Sequence, residues 1–366
     1  MAATATTMPR IAFESRHEQS RNRIANPTLN DGQLSVNDPV AHTPLVSSAV
    51  EAVARPRGRV ALIAGVCALL GLSLVGLLGT YRYLDNFWLY RGFAPPSDPA
   101  FVTARGTVQR LYVASAAVGG RRQPVDVYLP PGYAQHPARR YPVFYLLHGV
   151  PGRPGAFLQT VRMGVVEDIL LARHSIRPMI LVMPFGSTGA FTDEEWANGV
   201  RPHEGWETFL ARDVVQAVDS RYRTIRSGGG RALGGLSEGG YGALNIGIHH
   251  PARFRVLESW SGYERADDVR SIFGHRPALL RRNSPAATVG REARALRARH
   301  AYVWFYTGTG DAMLAQNEAF AAQLTRLGIG HRFRVHRGGH DWALWRAQAA
   351  NALLAASRHL GGPPRV

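Results

Sequence analysis

The stretch Gly234-Gly235-Leu236-Ser237-Glu238-Gly239-Gly240-Tyr241 decides the fold of this chain. It joins a short strand-like run, 231–233, to a helix-forming run that follows it. A serine at such a turn is held in a strained conformation, and the flanking Gly235 and Gly239 let the strand and helix backbones approach closely. The pattern therefore predicts an exposed nucleophile, Ser237, with a purely structural glycine-rich turn as the alternative.

Apolar runs and helix-period stretches alternate on both sides of this turn. The runs 143–147, 179–183 and 301–306 are continuously apolar, which predicts strands covered on both faces, whereas 125–129 alternates and predicts one exposed face. Helical periodicity separates these runs, over 161–173, 207–221, 239–250, 315–327 and 342–358. This order predicts an α/β fold with a mainly parallel central sheet, and the serine turn between strand and helix is the one that α/β-hydrolases carry.

A serine hydroxyl needs a neighbouring base, and the chain has 14 histidines. In this fold the nucleophile, the acid and the histidine follow one another along the chain, with the histidine after the last strand. His340 fits because it follows the strand-like run 332–336 and precedes an amphipathic helix. His331 and His336 fit better within or beside that strand, and the pair 249–250 fits a helix end.

The acid partner should follow the preceding strand, where its carboxylate can hold the histidine tautomer. Asp311 comes directly after the apolar run 301–306 and is the predicted acid. Asp341 is adjacent to His340, where side chains diverge, and Glu318 falls within a helix. Glu318 remains the second choice.

An oxyanion formed on the substrate needs two backbone N–H donors, one after the nucleophile and one from the loop after an earlier strand. These positions are Glu238 and Val150. The same loop contains His148, which we interpret as a residue that orders the loop and not as the base.

Several strings along residues 106–360 resemble the Putative esterase family of α/β-hydrolases, which includes esterase D, feruloyl esterases and mycolyltransferases of the antigen 85 type. The resemblance implies Ser237, Asp311 and His340 as the catalytic triad, in a compact hydrolase without a large cap domain. The strings stand in the order found in the family: Val127-Tyr128-Leu129-Pro130-Pro131-Gly132-Tyr133, Tyr141-Pro142-Val143, Leu147-His148-Gly149, the serine turn, Asn283-Ser284-Pro285, Gly310-Asp311 and Gly339-His340-Asp341-Trp342.

The sequence departs from the family pattern at Glu238, where such proteins often carry methionine, glutamine or serine. A carboxylate beside the nucleophile repels acidic substrates and can raise the pKa of the base. The segments 185–187 and 193–196 follow a central strand, and we expect them to form a solvated loop, with a border of the substrate pocket as the alternative.

An uncharged, apolar stretch runs from Val60 to Tyr81, long enough to cross a membrane as one helix. Three arginines precede it within five positions, so the arginine bias places the N-terminus in the cytoplasm. A cleaved signal sequence and a buried core helix are the alternatives. We predict a disordered cytoplasmic tail over 1–58, an anchor over 59–81, a linker over 82–100 and an extracytoplasmic hydrolase domain over 101–366.

The 43 basic residues are all arginines and exceed the 26 acidic ones, which gives a net charge of +17. The arginines occur as scattered pairs without interleaved aromatic residues, which disfavours a nucleic-acid partner. The single Cys67 excludes a disulfide within the chain and a zinc site built on several thiolates. We also find no nucleotide or flavin motif, so we predict no cofactor and no metal.

Together these features predict a membrane-anchored serine ester hydrolase that acts outside the membrane through an acyl-enzyme. The expected substrate is a small-molecule ester or a lipid or glycolipid ester. One alternative is an acyltransferase of the mycolyltransferase type, which passes the acyl group to a sugar or lipid hydroxyl. A second alternative is a non-catalytic module that binds envelope components.

Overall fold

The computed structural model describes residues 56–90, 98–189, 192, 194–266 and 269–361. Most of the predicted disordered tail, 1–55, and part of the predicted linker, 91–97, lie outside the described residues.

The first described element is a helix, α1, at Pro56–Tyr90. Its segment Val60–Thr80 has a mean hydropathy of 2.5 and none of it is buried. At 1.5 Å per residue, 21 residues span about 31 Å, which matches the hydrocarbon thickness of a bilayer. The helix is longer than the predicted anchor: residues 56–58, assigned to the tail, and 82–90, assigned to the linker, are helical too.

The rest of the described chain is built around one eight-stranded sheet. Its order is β1-β2-β4-β3-β5-β6-β7-β8, in which β2 pairs antiparallel with both β1 and β4 and every other pairing is parallel. The mainly parallel sheet of an α/β-hydrolase is therefore confirmed. The strands are β1 (Thr107–Ala114), β2 (Arg122–Leu129), β3 (Val143–Leu147), β4 (Ile180–Pro184), β5 (Arg231–Leu236), β6 (Val256–Trp260), β7 (Tyr302–Gly308) and β8 (Gly330–His336).

The prediction of one exposed face for 125–129 was wrong. All five residues are buried, because β2 lies between β1 and β4 and both faces of the sheet are covered there. The sequence interpretation also missed β1, which is mostly exposed and has no apolar run, and β6, whose apolar residues are interrupted by the buried Glu258.

Helices cover both faces of the sheet. One face packs against α5, α8 and α9, and the other packs against α2 and α10, so each face has its own apolar core. The predicted helix over 207–221 is observed as α3, a π-helical segment over 209–214 and α4. After α1, the helices are α2 (Met163–Ala172), α3 (Trp206–Thr208), α4 (Val215–Arg221), α5 (Glu238–His249), α6 (Arg270–Phe273), α7 (Pro277–Arg282), α8 (Pro285–Ala298), α9 (Leu314–Arg326) and α10 (Trp342–His359).

The carboxyl ends of the parallel strands meet at one edge of the sheet. The loops after β3, β5, β7 and β8 therefore lie side by side, and ligands of open α/β sheets bind outside this edge. The register pairs Leu147 at the end of β3 with Gly235 in β5, which sets the loop after β3 beside Ser237.

Candidate active site

Ser237 occupies the sharp turn between β5 and α5. Its backbone angles are φ 55° and ψ −123°, a conformation that L residues rarely adopt. A Cβ at Gly235 would lie 2.5 Å from the backbone of Gly239, and a Cβ at Gly239 would lie 2.0 Å from the carbonyl oxygen of Leu147. Both positions therefore require glycine, and the turn presents the serine at the sheet edge.

His340 links the serine to a carboxylate. Its Nε2 lies 2.8 Å from the Ser237 Oγ, and its Nδ1 lies 3.0 Å from the Asp311 Oδ2. The three residues come from the turn after β5, the loop after β7 and the loop after β8, so the topology brings together side chains up to 103 positions apart. The arrangement can pass a proton from a serine hydroxyl to an imidazole that a carboxylate orients.

Asp311 is buried, and its second oxygen, Oδ1, accepts a hydrogen bond from the Met313 N–H at 3.0 Å. Burial alone would raise the pKa of Asp311, but the hydrogen bonds from His340 and Met313 outweigh it and the pKa lies below its ordinary value. The carboxylate therefore stays ionised at neutral pH. The second-choice acid, Glu318, is exposed on α9, and Asp341 caps α10 by accepting from the Leu344 N–H at 3.0 Å.

The remaining candidate histidines have other surroundings. His331 and His336 lie on β8, as their positions in the sequence predict. His249 and His250, at the end of α5, both contact Glu207, at 3.2 and 2.9 Å. Burial works against ionisation of Glu207, but these two histidines lower its pKa to about 2. The pair therefore anchors the end of α5 to Glu207 through side-chain hydrogen bonds.

His148 lies in the loop after β3 and is fully buried. Its Nε2 accepts a hydrogen bond from the Gly186 N–H at 3.2 Å, so its Nδ1 carries the proton and donates to the Gly149 carbonyl at 3.0 Å. Trp196 Nε1 donates to the His148 carbonyl at 2.9 Å. Burial lowers the pKa of His148 to about 4. These contacts fix two loops to each other.

The two predicted oxyanion donors flank the serine. Glu238 is the first residue of α5, and the first amides of a helix point out of its N-terminus. On the other side, a Cβ added at Gly149 would lie 3.1 Å from the Ser237 Cβ. The loop that carries Val150 therefore lies close to the nucleophile. Val150 itself is partly exposed.

The prediction of a solvated loop after β4 was wrong. Ser187, Glu194, Glu195 and Trp196 are all buried, while Asp193 lies outside the described residues. Both carboxylate oxygens of Glu194 are satisfied at 2.9 Å, by the Thr188 hydroxyl and the Trp206 indole. Glu194 therefore accepts hydrogen bonds within the protein, which an acidic composition alone does not predict.

Trp196 holds this loop against the serine turn. A Cβ at Gly186 would lie 2.3 Å from the Trp196 ring, and one at Gly242 on α5 would lie 2.5 Å from its Cβ. Glu195 and Trp196 both have left-handed backbone angles, with φ of 53° and 46°. Glu195 accepts a hydrogen bond from the Tyr263 hydroxyl. The loop therefore packs tightly on the helix that follows the nucleophile, with two consecutive left-handed residues at the point of contact.

Sequence reasoning missed one buried acid beside the triad. Glu264 is fully buried, and the side chain of Asn317 on α9 donates to it at 3.4 Å. Burial raises its pKa well above the ordinary value, and the nearby Asp311 carboxylate adds to the effect. A single charged residue in a loop carries no sequence signal for such burial. No grouping of potential metal ligands occurs among the described residues.

Comparisons with known proteins find esterases and acyltransferases that are similar to this chain. A family model described as Putative esterase matches residues 115–356. An endo-1,4-beta-xylanase/feruloyl esterase of Xylanibacter ruminicola is 30% identical over 201 residues, which are 50% of this chain and 26% of that protein. A diacylglycerol acyltransferase/mycolyltransferase of Mycobacterium leprae is 26% identical over 226 residues, which are 50% of this chain and 66% of that protein. The chain thus spans about a quarter of the first relative.

The structure also resembles solved esterases. A ferulic acid esterase superposes with a TM-score of 0.61 and 26% identity, covering 71% of this chain and all of that one. A fluorophosphonate-binding serine hydrolase of Staphylococcus aureus gives a TM-score of 0.58 at 18% identity, covering 69% of this chain and 99% of that one.

Proposed function

The chain belongs to the Putative esterase family, and on that premise we propose that it hydrolyses carboxylic esters with Ser237 as the nucleophile. The observation that carries this proposal is the position of His340, within hydrogen-bond distance of both the Ser237 hydroxyl and the Asp311 carboxylate. A fully formed pair of contacts on one imidazole is the arrangement that nucleophilic catalysis by serine requires.

In the first step, the Ser237 Oγ attacks the ester carbonyl carbon and its proton passes to the His340 Nε2. Asp311 accepts the Nδ1–H and stabilises the imidazolium that forms. The backbone N–H groups of Glu238 and Val150 donate to the oxyanion. The C–O bond to the alcohol then breaks, and His340 returns the proton to the leaving alcohol, which leaves the acyl group on the serine.

In the second step, water takes the place of the alcohol. His340 removes a proton from the water, the hydroxide adds to the acyl carbonyl, and the same two amides hold the oxyanion. The bond to Oγ breaks, the serine recovers its proton from His340, and the acid leaves. Each proton taken by the imidazole is returned in the same half-reaction.

Glu238 sets a preference among substrates. The residue is buried directly after the nucleophile, so an ionised carboxylate there disfavours a negatively charged group near the scissile bond. We expect neutral esters, including esters of lipids or glycolipids, to react faster than acidic ones.

Transfer of the acyl group to a hydroxyl is the second candidate function. The similarity to the mycobacterial acyltransferase/mycolyltransferase favours it. The chemistry of the first step is unchanged, and a sugar or lipid hydroxyl replaces water in the second. What separates the two reactions is whether the site excludes water and holds an acceptor.

The location of the enzyme is also part of this proposal. The apolar segment Val60–Thr80 of α1 would anchor the chain in a membrane. Arg55, Arg57 and Arg59 precede it, which favours a cytoplasmic N-terminus and a catalytic domain on the outer side.

The test uses the full chain in detergent micelles. p-Nitrophenyl esters of increasing chain length are assayed with and without trehalose or glycerol, for wild type, Ser237→Ala and the exposed control Ser175→Ala. Loss of p-nitrophenol release in Ser237→Ala alone supports a serine hydrolase, and acylated trehalose or glycerol in the wild-type reaction assigns acyl transfer. Release that persists in Ser237→Ala, or folded wild type without any release, would overturn the proposal.

A further inference from the structure

A cationic groove lies along the seam between β8, an edge strand of the sheet, and α10. It encloses about 300 Å³, at the small end of the range for ligand pockets. Three exposed arginines line it: Arg332 and Arg334 from the strand, and Arg358 from the helix. None of these residues takes part in the proposed ester chemistry.

The three arginines converge from two sides. Arg332 and Arg334 are two residues apart on a strand, so their side chains leave the same face about 7 Å apart. Arg358 lies in the last turn of α10, which packs on that face. Two histidines, His336 and His359, lie among them.

The positive charge of the groove is not neutralised by the protein. No acidic side chain lines it, and no ion pair joins its three arginines to a carboxylate anywhere in the described part of the chain. Glu258, on the neighbouring strand β6, is fully buried, and burial raises its pKa well above the ordinary value, which disfavours its charged form.

The pKa values of the two histidines respond to the positive charge of nearby arginines. Burial, followed by the nearby Arg334, lowers the pKa of His336. Burial, followed by Arg255 and Arg358, lowers the pKa of His359. Both rings are therefore mainly neutral at neutral pH and can donate or accept hydrogen bonds within the groove.

A second arginine-rich cavity in the same domain differs from this groove, because several of its arginines have partners within the protein. Arg231 lies 2.5 Å from Asp219 and Arg212 lies 2.7 Å from Asp213. Arg253 donates to the Ala211 carbonyl at 2.8 Å. The contrast indicates that the groove along β8 leaves its donors open to an external acceptor.

We propose that this groove binds a small anion that carries a phosphate group. Guanidinium groups present paired N–H donors that match phosphate oxygens, and three of them around one small cavity suit a multiply charged group better than a single carboxylate. Gln348 and Asn351 on α10 also line the groove; Asn351 Nδ2 donates to Gln348 Oε1 at 2.8 Å, and Gln348 Nε2 would donate to the anion. The phosphate can belong to a soluble molecule or to a lipid headgroup, since the recognition is the same.

The test measures binding of pyrophosphate to the full chain in uncharged detergent micelles by calorimetry. We expect saturable binding that weakens about tenfold or more in Arg334→Gln and in Arg358→Gln, since each removes charge-assisted hydrogen bonds. The control is Arg294→Gln, an exposed arginine on α8, which packs on the opposite face of the sheet. In the control, binding should be unchanged.

Labelled-histidine NMR locates the bound anion. Pyrophosphate should shift the signals of His336 and His359 and leave that of the exposed His136 in place. Vesicles of phosphatidylglycerol that displace pyrophosphate would assign the phosphate to a lipid headgroup, and vesicles that fail to displace it would assign it to a soluble molecule. Absence of binding, or equal weakening in Arg294→Gln, overturns the proposal and leaves the arginines to protect the sheet edge from pairing.

Discussion

Two loops at the same edge of the sheet each carry a histidine, and their surroundings differ. His148, after β3, is buried, with both ring nitrogens engaged by backbone groups. His340, after β8, has a side chain 36% exposed and lies between a carboxylate and a serine hydroxyl. The first arrangement fixes a neutral ring and makes it structural. The second leaves one nitrogen facing the nucleophile, which is what a base needs.

The largest expected effect is loss of the base or the nucleophile. His340→Gln and Ser237→Ala should each lower kcat for a neutral p-nitrophenyl ester by about 10⁵- to 10⁶-fold, because the two residues act as a unit. His148→Gln should keep kcat within about 100-fold of wild type, since glutamine can still accept from the Gly186 N–H. Steady-state kinetics on the three variants measures these losses of kcat. A larger loss in His148→Gln than in His340→Gln would mean that the roles of the two histidines are exchanged.

The next effect concerns the carboxylate that distinguishes the two histidines. Asp311→Asn should lower kcat by about 10⁴-fold, because the amide favours the wrong imidazole tautomer. Glu318→Gln is the matched control, since this second-choice acid is exposed on α9. A loss below tenfold in Asp311→Asn, or an equal loss in the control, would remove Asp311 from the triad.

A smaller expected effect is the contribution of the buried His148 to the pH dependence of the free energy of unfolding. The pKa of folded His148 is about 4, whereas a histidine in the unfolded chain titrates near about 6.5. Between these values the unfolded state binds more protons, so the free energy of unfolding falls as the pH is lowered, by up to about 3 kcal/mol. Denaturation of wild type and His148→Gln from pH 7 to 4 should show a shallower decline in the variant. Parallel curves would contradict the burial of a neutral ring.

The smallest effect tests the charge beside the nucleophile. Glu238→Gln should raise kcat/KM for a succinate half-ester several-fold relative to a neutral ester of equal length, because the repulsion between two carboxylates is removed. Glu292→Gln, on α8, is the control for a change in net charge alone. An unchanged ratio between acidic and neutral esters would show that Glu238 does not face the acyl group.

The sequence predicts the mainly parallel sheet and the chain order of Ser237, Asp311 and His340, because apolar runs, helical periodicity and turn chemistry are local signals. It also distinguishes His340 from His148 by their positions after strands, and of the two rings the structure places His340 against Ser237. It does not reveal the burial of Glu194 and Glu195, since their partners lie on distant elements. The burial of β2 is also not predicted, because the alternation of apolar and polar residues over 125–129 indicates one exposed face although both faces are covered.

The extent of α1 was underestimated for a related reason. Hydropathy marks the 21 residues that match a membrane, but the helix continues through Arg82, Asp85 and Asn86 to Tyr90, because a helix is held by backbone hydrogen bonds and does not end where uniform apolar content ends. The open arginines of the groove along β8 are also invisible in composition, because only the fold shows which arginines have a carboxylate nearby.

The most direct measurement of the central claim is the site of covalent labelling by a fluorophosphonate. The full chain, His340→Gln and His148→Gln are treated alike and mapped by peptide mass spectrometry. We expect one adduct, on Ser237, in wild type and His148→Gln, and its loss in His340→Gln. Labelling at another serine, or an adduct on Ser237 that forms equally fast without His340, would contradict it.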